Sequence, residues 1–376
     1  MRFSNPPRLC LALALASLLL TACSPDQPEP VAAAPETAPL ADPEPESEAA
    51  AAPAREVPEV VVVYGRDEMI PWLESQDWWG EVNREQQLTV PYVIITGIHP
   101  SWQEYSAQLP VRDKKALFYR LMLPLVMHAN SMVLEFRGGL EAMRETHASG
   151  GEITPEQLTL LKRLAGLLPD MTAEDIEALT ANHPEMDDMI DALLYRLDVV
   201  PPGLALGQAA YESGYGTSRF AVEGNSLFGQ WTYGGEGLVP KQQRKSTKGD
   251  HRIKAFDWPF DSVRGYFINL MSHPAYEDFR RLRAETRAAG KPFESLELAN
   301  GLLRYSERGQ EYVDSLKGMI RTNGLDIADH AVFRDEPMRF LLSEESPEQA
   351  EAVRAEIERM RQTGELAEIF ERMRLE

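Results

Sequence analysis

Residues 201–230 read PPGLALGQAAYESGYGTSRFAVEGNSLFGQ. Two prolines open the stretch, small and apolar residues carry it to Glu212, and Gly214 follows. Proline suits the first turn of a helix and glycine the left-handed residue that ends one, so the spacing predicts a helix from Pro201 to Glu212. Its body of Gly203, Ala205, Gly207, Ala209 and Ala210 leaves room for close approach by neighbouring helices. Glu212 falls in the last turn, where the negative end of the helix dipole and partial burial both disfavour an ionised carboxylate. A carboxyl held protonated beside Tyr211, Tyr215 and Phe220 has the character of a general acid that works near neutral pH.

Outward from this helix, apolar residues recur at helical spacing from Asp113 to about Phe136, with Pro124 expected to kink or divide the helix. Further helices are predicted over Glu156–Leu168, over Thr172–Asn182 with Thr172 and Asp175 as an approximate capping box, and over Pro184–Leu197. Beyond Asp257, helices are predicted over Asp261–Met271, Phe279–Ala289, Ser295–Arg304 and Gln310–Asn323. Between the two sets, Gly224–Asp257 is rich in Gly, Trp and Tyr, which suits a loop plus a small β-hairpin. The fold class is therefore α+β, mainly helical, with a small β-lobe. Val60–Val63 and Tyr92–Thr96 are short β-type runs in an N-terminal arm, residues 59–112. An acidic amphipathic tail, residues 331–376, is expected to form two helices, docked on the domain or serving as an interaction tail.

Several motifs carry a resemblance. Tyr211-Glu212-Ser213-Gly214-Tyr215-Gly216-Thr217-Ser218-Arg219-Phe220-Ala221, then Gly224-Asn225-Ser226-Leu227-Phe228-Gly229-Gln230, resembles the catalytic signature of the bacterial glucosaminidase domain, glycoside hydrolase family 73 of the lysozyme-like superfamily, and within it the Bax-like proteins. Gly237–Pro240, Phe256-Asp257, Ser262–Tyr266 and Arg304–Gly309 with Tyr312 support the match, which covers roughly Leu117 to Leu325. The resemblance implies a lysozyme-like domain over 113–330 with its catalytic segment at 200–325, and Glu212 as general acid. It also implies that Asn225 and Phe228 shape a sugar cleft and that Tyr305 stands near the site. Tyr215, Phe228, Trp231 and Tyr233 are candidates to face sugar rings, or else to pack the lobe.

A two-carboxylate hydrolase needs a base about 6.5–9.5 Å from the acid, or a nucleophile near 5 Å. Family members often carry a Glu on the hairpin, whereas Pro240–Gly249 holds Lys241, Arg244, Lys245 and Lys248 and no acid. Glu236 and Asp250 flank the hairpin and, with Glu223, are the candidates for the second catalytic carboxylate. A substrate-assisted route would use Glu212 alone.

The remaining sequence bounds the function. With 38 basic and 59 acidic residues in 376, the net charge of −21 argues against nucleic acid as a partner. The seven histidines show no zinc-ligand spacing, so neither a metal nor a cofactor is expected. Cys10 and Cys23 are the only cysteines. Leu9–Leu20 is an apolar run of about 12 residues, too short to span a bilayer and suited to a secretory signal. It ends in Leu20-Thr21-Ala22-Cys23, which resembles a bacterial lipobox and makes residues 1–22 a signal peptide and Cys23 the lipidated residue. Residues 23–58, dominated by Pro, Ala and acidic side chains, are expected to be a disordered tether reaching roughly 30–100 Å.

The resulting expectation is an envelope lipoprotein at the periplasmic face, sorted to the outer membrane because Ser24 follows the cysteine. It would cleave the β-1,4 bond after N-acetylglucosamine in peptidoglycan. The alternative is a peptidoglycan-binding scaffold that keeps the cleft with weak or no turnover. A solute-binding lipoprotein is a third reading.

Overall fold

The computed structural model describes residues 57–82, 87–232, 237–239 and 252–375. They fall into two compact units, one running from Glu59 to Arg354 and one containing the residues from Ala355 onward. The signal peptide and almost all of the expected tether lie outside the described residues.

In the first unit the chain begins with strand β1 (Glu59–Tyr64), helix α1 (Gly65–Ser75) and strands β2 (Thr89–Val90) and β3 (Val93–Ile95). A short helix α2 (Trp102–Gln108) leads into α3 (Val111–Ala148). Next come α4 (Pro155–Ala165), α5 (Ala173–Ala178), α6 (Met186–Arg196), α7 (Pro202–Ser213) and α8 (Arg219–Gly224). The lobe strands β4 (Trp231–Thr232), β5 (Gly237–Leu238) and β6 (Arg252–Lys254) follow. Helices α9 (Pro259–Ser272), α10 (Glu277–Ala288), α11 (Ser295–Leu298) and α12 (Gln310–Asn323) precede β7 (Val332–Phe333) and β8 (Arg339–Glu344). The C-terminal helices are α13 (Pro347–Thr363) and α14 (Glu365–Leu375).

The molecule is mainly helical α+β. Pro124 lies inside α3 without dividing it, and the 38-residue helix runs on past Phe136. Tertiary burial accounts for this, because residues 116–127 are buried except Leu121 and supply packing that outweighs one lost backbone hydrogen bond. α3 is also long and apolar enough to cross a membrane, but it is a core helix, packed against α4, α6, α7 and α9. The Thr172–Asp175 capping box is present, and Thr154 with Gln157 forms a second at the start of α4.

The division into an arm, a domain and a tail takes another form in the structure. Parallel strands in the order β1-β8-β3 place residues 59–64, 93–95 and 339–344 in one sheet within the first unit. Residues 339–344, expected as part of a helical tail, form its central strand, with Phe340, Leu341 and Leu342 buried. A central parallel strand is apolar on both faces, so a run such as Phe-Leu-Leu gives no clue from periodicity alone.

α7 runs through the middle of the helical part and is buried from Gly203 to Ala210. Its small residues have the expected effect. A Cβ on Gly207 would meet Ile320 Cγ1 at 3.0 Å, and one on Gly203 would meet the Leu325 carbonyl oxygen at 2.3 Å. Asp329 accepts from the Gly203 N–H (2.9 Å) and from the Ser295 N–H and hydroxyl (2.7 and 2.6 Å). A carboxylate at this position satisfies a donor at the positive end of α7 and ties the helix to α11. Gly203→Ala should lower stability by about 1–3 kcal/mol, because the neighbour is backbone and cannot swing aside. A thermal melt checks it, and an unchanged Tm would show that α7 can shift freely.

Two other helix ends are closed by arginines. Arg280 donates to the carbonyls of Leu270 and His273, and Arg196 to those of Met271 and Ser272, at the end of α9. Arg283, fully buried, donates to the carbonyls of Arg196, Asp198 and Val199 beyond the end of α6. These contacts satisfy carbonyls that helices leave open and hold the segment from which α7 starts.

Candidate active site

α7 ends one residue beyond Glu212. The Ser213 hydroxyl donates to the Ala209 carbonyl (2.6 Å) and accepts from the Gly216 N–H (2.8 Å), and Gly214 caps the helix with φ +59°. The chain then turns through Tyr215, itself at φ +60°, and restarts as α8, capped by the Ser218 hydroxyl accepting from the Ala221 N–H. Left-handed residues in succession reverse the chain sharply, leaving Glu212 at the rim of the helical part rather than within it.

Glu212 lines a cleft of about 1010 Å³. The opposite walls come from Phe228–Trp231, from Lys254 and Phe256 at the β-lobe, from the α9 face carrying Ile268 and Asn269, and from the turn Arg304–Arg308. A space of that size lies at the upper end of the range for small-molecule sites and leaves room for an extended ligand. The lobe itself is antiparallel, β4-β6-β5, and its base is held by the Lys254 N–H donating to the Gln230 carbonyl (2.8 Å).

Glu212 is half-buried, and burial pushes its carboxyl above the ordinary value while the Tyr312 hydroxyl pulls the other way. Four phenols cluster on its protein side. Tyr312 stacks on Tyr305 (5.3 Å, 12°) and meets Tyr211 edge-on (5.5 Å, 90°), while Tyr276 tilts against Tyr305 (5.8 Å). Burial, together with the Glu212 charge, raises Tyr276, Tyr305 and Tyr312, so these hydroxyls remain donors throughout the range in which a carboxyl titrates.

The structure brings Glu212, Phe228, Trp231 and Tyr305 together at the cleft. Trp231 is 54% exposed at the rim, whereas the Phe228 ring is buried and stacks on Tyr266 (4.1 Å, 5°), so it packs the wall. The Tyr305 hydroxyl donates to the Phe228 carbonyl (3.3 Å), which makes Tyr305 a brace of the same wall.

Two residues expected at the cleft are elsewhere. Tyr215 is turned by its positive φ onto α3, edge-on to Phe118 and Tyr119, and its hydroxyl donates to Met319 Sδ at 3.3 Å. Asn225 is spent on structure, donating to the carbonyls of Phe256 and Asp257 and accepting from the Ile98 N–H. It holds the loop that shapes the cleft without lining it. Glu223 pairs with Arg219 (2.9 Å) on α8 and is not at the cleft. Glu236 and Asp250, Tyr233 and the four hairpin cations lie outside the described residues. Among the described residues, Glu307 is the other carboxylate lining the cleft, and no three His, Cys, Asp or Glu side chains converge as metal ligands.

Reasoning from the sequence did not place Tyr276 and Tyr312, which interact with Glu212, or Gln208 and Tyr266 behind Tyr312. Gln208 had a signal, being an amide in an otherwise apolar run four residues before Glu212. A second cavity, about 80 Å³ between α1, α2 and α3, is walled by Met69, Ile95, Trp102, Phe118 and Met122. Its one histidine, His99, is fully used: Nε2–H donates to the Glu344 carbonyl and Nδ1 accepts from the Ser101 N–H.

Comparisons with known proteins converge on this region. The glucosaminidase family, described as mannosyl-glycoprotein endo-beta-N-acetylglucosaminidase, matches residues 190–325. The chain is 27% identical to Protein bax of Escherichia coli (strain K12) over 234 residues, 61% of this chain and 76% of that protein. No solved structure matches. The family match spans α7, the lobe, α9 and the turn before α12, the elements that build the cleft around Glu212. Residues 190–325 therefore match the glucosaminidase family, which supports glycoside hydrolase chemistry in general for this region, and the chain is similar to Protein bax.

Proposed function

We propose that the protein cleaves the β-1,4 bond after N-acetylglucosamine in peptidoglycan, with Glu212 as general acid. The observation that carries this reading is a half-buried carboxyl at a helix end, raised by burial, open to a cleft of about 1010 Å³. Protonation of the leaving oxygen needs such a group. The exposed Trp231 offers a ring face to a pyranose. Cations at the cleft, Lys254, Arg304 and Arg308, suit a glycan bearing carboxylates in a chain whose net charge is −21. In this reading the chain is a lipoprotein anchored through Cys23, working from the periplasmic face of the outer membrane at the end of its Pro/Ala/Glu-rich tether.

Digestion of purified sacculi with the soluble chain from Val57 onward tests the reaction. Reducing N-acetylglucosamine ends are the expected product. Release of 1,6-anhydro-N-acetylmuramic acid would make the enzyme a lytic transglycosylase instead. Sacculus binding with no release between about pH 5 and 8, the range in which a raised-pKa acid operates, would identify a scaffold.

A further inference from the structure

Gln208 lies one helical turn before Glu212 on α7, and its side chain is fully buried among Gly, Ala and Leu. Both ends of the amide are used. The Tyr266 hydroxyl donates to Oε1 at 2.6 Å, and Nε2 donates to the Tyr312 oxygen at 3.0 Å. Both phenol rings are held in place, Tyr266 by its stack on Phe228 and Tyr312 by its stack on Tyr305. A phenol has one proton to give. With the Tyr312 oxygen occupied by an amide N–H, its own proton points away from Gln208, toward the Glu212 carboxylate with which it interacts. Reversing the amide would present its carbonyl to Tyr312, which would then donate inward and leave Glu212 without that donor.

We propose that Gln208 is a positioning residue that directs the Tyr312 proton at Glu212. Donation therefore runs one way, from Tyr266 to Gln208, then to Tyr312, then to the carboxylate. The inference rests on Glu212 being the acid. The charged and titratable groups facing Glu212 across the cleft are Lys254 from β6, His273 after α9, and Arg304, Glu307 and Arg308 before α12. On the protein side, among the described residues, the titratable groups that interact with Glu212 are the phenols of Tyr276, Tyr305 and Tyr312, all neutral where a carboxyl titrates, with uncharged Gln208 and Tyr266 behind Tyr312. A relay on that side alters the acid without altering the cleft's charge.

The test uses the soluble chain from Val57 onward, labelled at the Glu side-chain carboxyl carbon. Glu212 is assigned by difference from Glu212→Gln and titrated by NMR, a readout that needs no turnover. The basic limb of kcat/KM is recorded in parallel. A donor to the ionised carboxylate lowers its midpoint, so Tyr312→Phe should raise it by about one pH unit. Gln208→Met should raise it in the same direction, and the double variant no further than Tyr312→Phe alone. An unmoved midpoint in Gln208→Met, or shifts that add in the double variant, would overturn the proposal. If Gln208→Met does not fold, Tyr266→Phe frees the amide to reverse; an upward shift again supports the relay and an unmoved midpoint overturns it. Activity retained by Glu212→Gln would count against Glu212 as the acid, and the titration would still decide whether Gln208 acts on it.

Discussion

Glu212→Gln is expected to lower kcat/KM on peptidoglycan by about 10²- to 10⁴-fold, the contribution of a positioned general acid. Glutamine keeps the volume and the polar contact to Tyr312 but has no proton to deliver to a leaving oxygen. Sacculus binding should be unchanged, which a pull-down measures alongside release of reducing ends. The wild-type pH profile follows from the same group. The acid works while protonated, and burial raises its pKa, so kcat/KM should fall as pH rises through a midpoint above the ordinary carboxylate value. Stability has a matching sign. A folded-state pKa above the unfolded one contributes stability that is complete at low pH and is lost as pH rises through the folded value. At neutral pH the wild type therefore bears the cost of the half-buried charge, and Glu212→Gln should melt at the same temperature or higher. A variant within tenfold of wild-type activity would remove Glu212 from the mechanism.

Arg283→Met should be the most destabilising substitution among those considered, by about 3–5 kcal/mol. The guanidinium is fully buried, and burial pushes it down to about 10 while Asp198 pulls it up, so it stays charged at neutral pH. It donates to three carbonyls between Arg196 and Val199, the segment that joins α6 to α7. Methionine fills much of the space and satisfies none of those acceptors. It also leaves Asp198, 3% exposed, with Arg287 and Arg137 as its remaining cations. The expected fall in Tm is about 10 °C, at roughly 2–4 °C per kcal/mol. Because the substitution lies away from the cleft, kcat/KM per folded molecule at low temperature should stay near wild type. A Tm within about 2 °C of wild type would show that these carbonyls find other partners.

The two substitutions probe features that differ in how far the sequence exposes them. The position of Glu212 was readable because its cues are local: prolines at the start of α7, Gly214 at its end, and the carboxylate in the last turn. Arg283 was not, because in sequence it is one of several charged residues on an ordinary amphipathic helix. Its role depends on carbonyls 84 to 87 residues away. The same division runs through the site. Trp231 and Tyr305 line the cleft, while Tyr215 and Asn225 do not: each sits at a positive φ, and its side chain is engaged elsewhere, Tyr215 on α3 and Met319 and Asn225 on the Phe256, Asp257 and Ile98 backbone.

Local structure is thus written along the chain: the helical set, the capping box at Thr172, the break at Gly214 and the small lobe between two groups of helices. These follow from propensity, capping and periodicity over a few residues, so they are encoded where they occur. The parallel sheet that takes β8 between β1 and β3, and the company that Glu212 keeps, arise only when distant segments meet in the fold. Parallel pairing joins strands about 250 to 280 residues apart, and apolar strands buried on both faces carry no alternation to announce them. Tyr266, Tyr276 and Tyr312 come from separate segments, and Gln208 gains its meaning from two of them. A hydrogen-bond network is a property of distances between side chains, which a one-dimensional pattern does not contain.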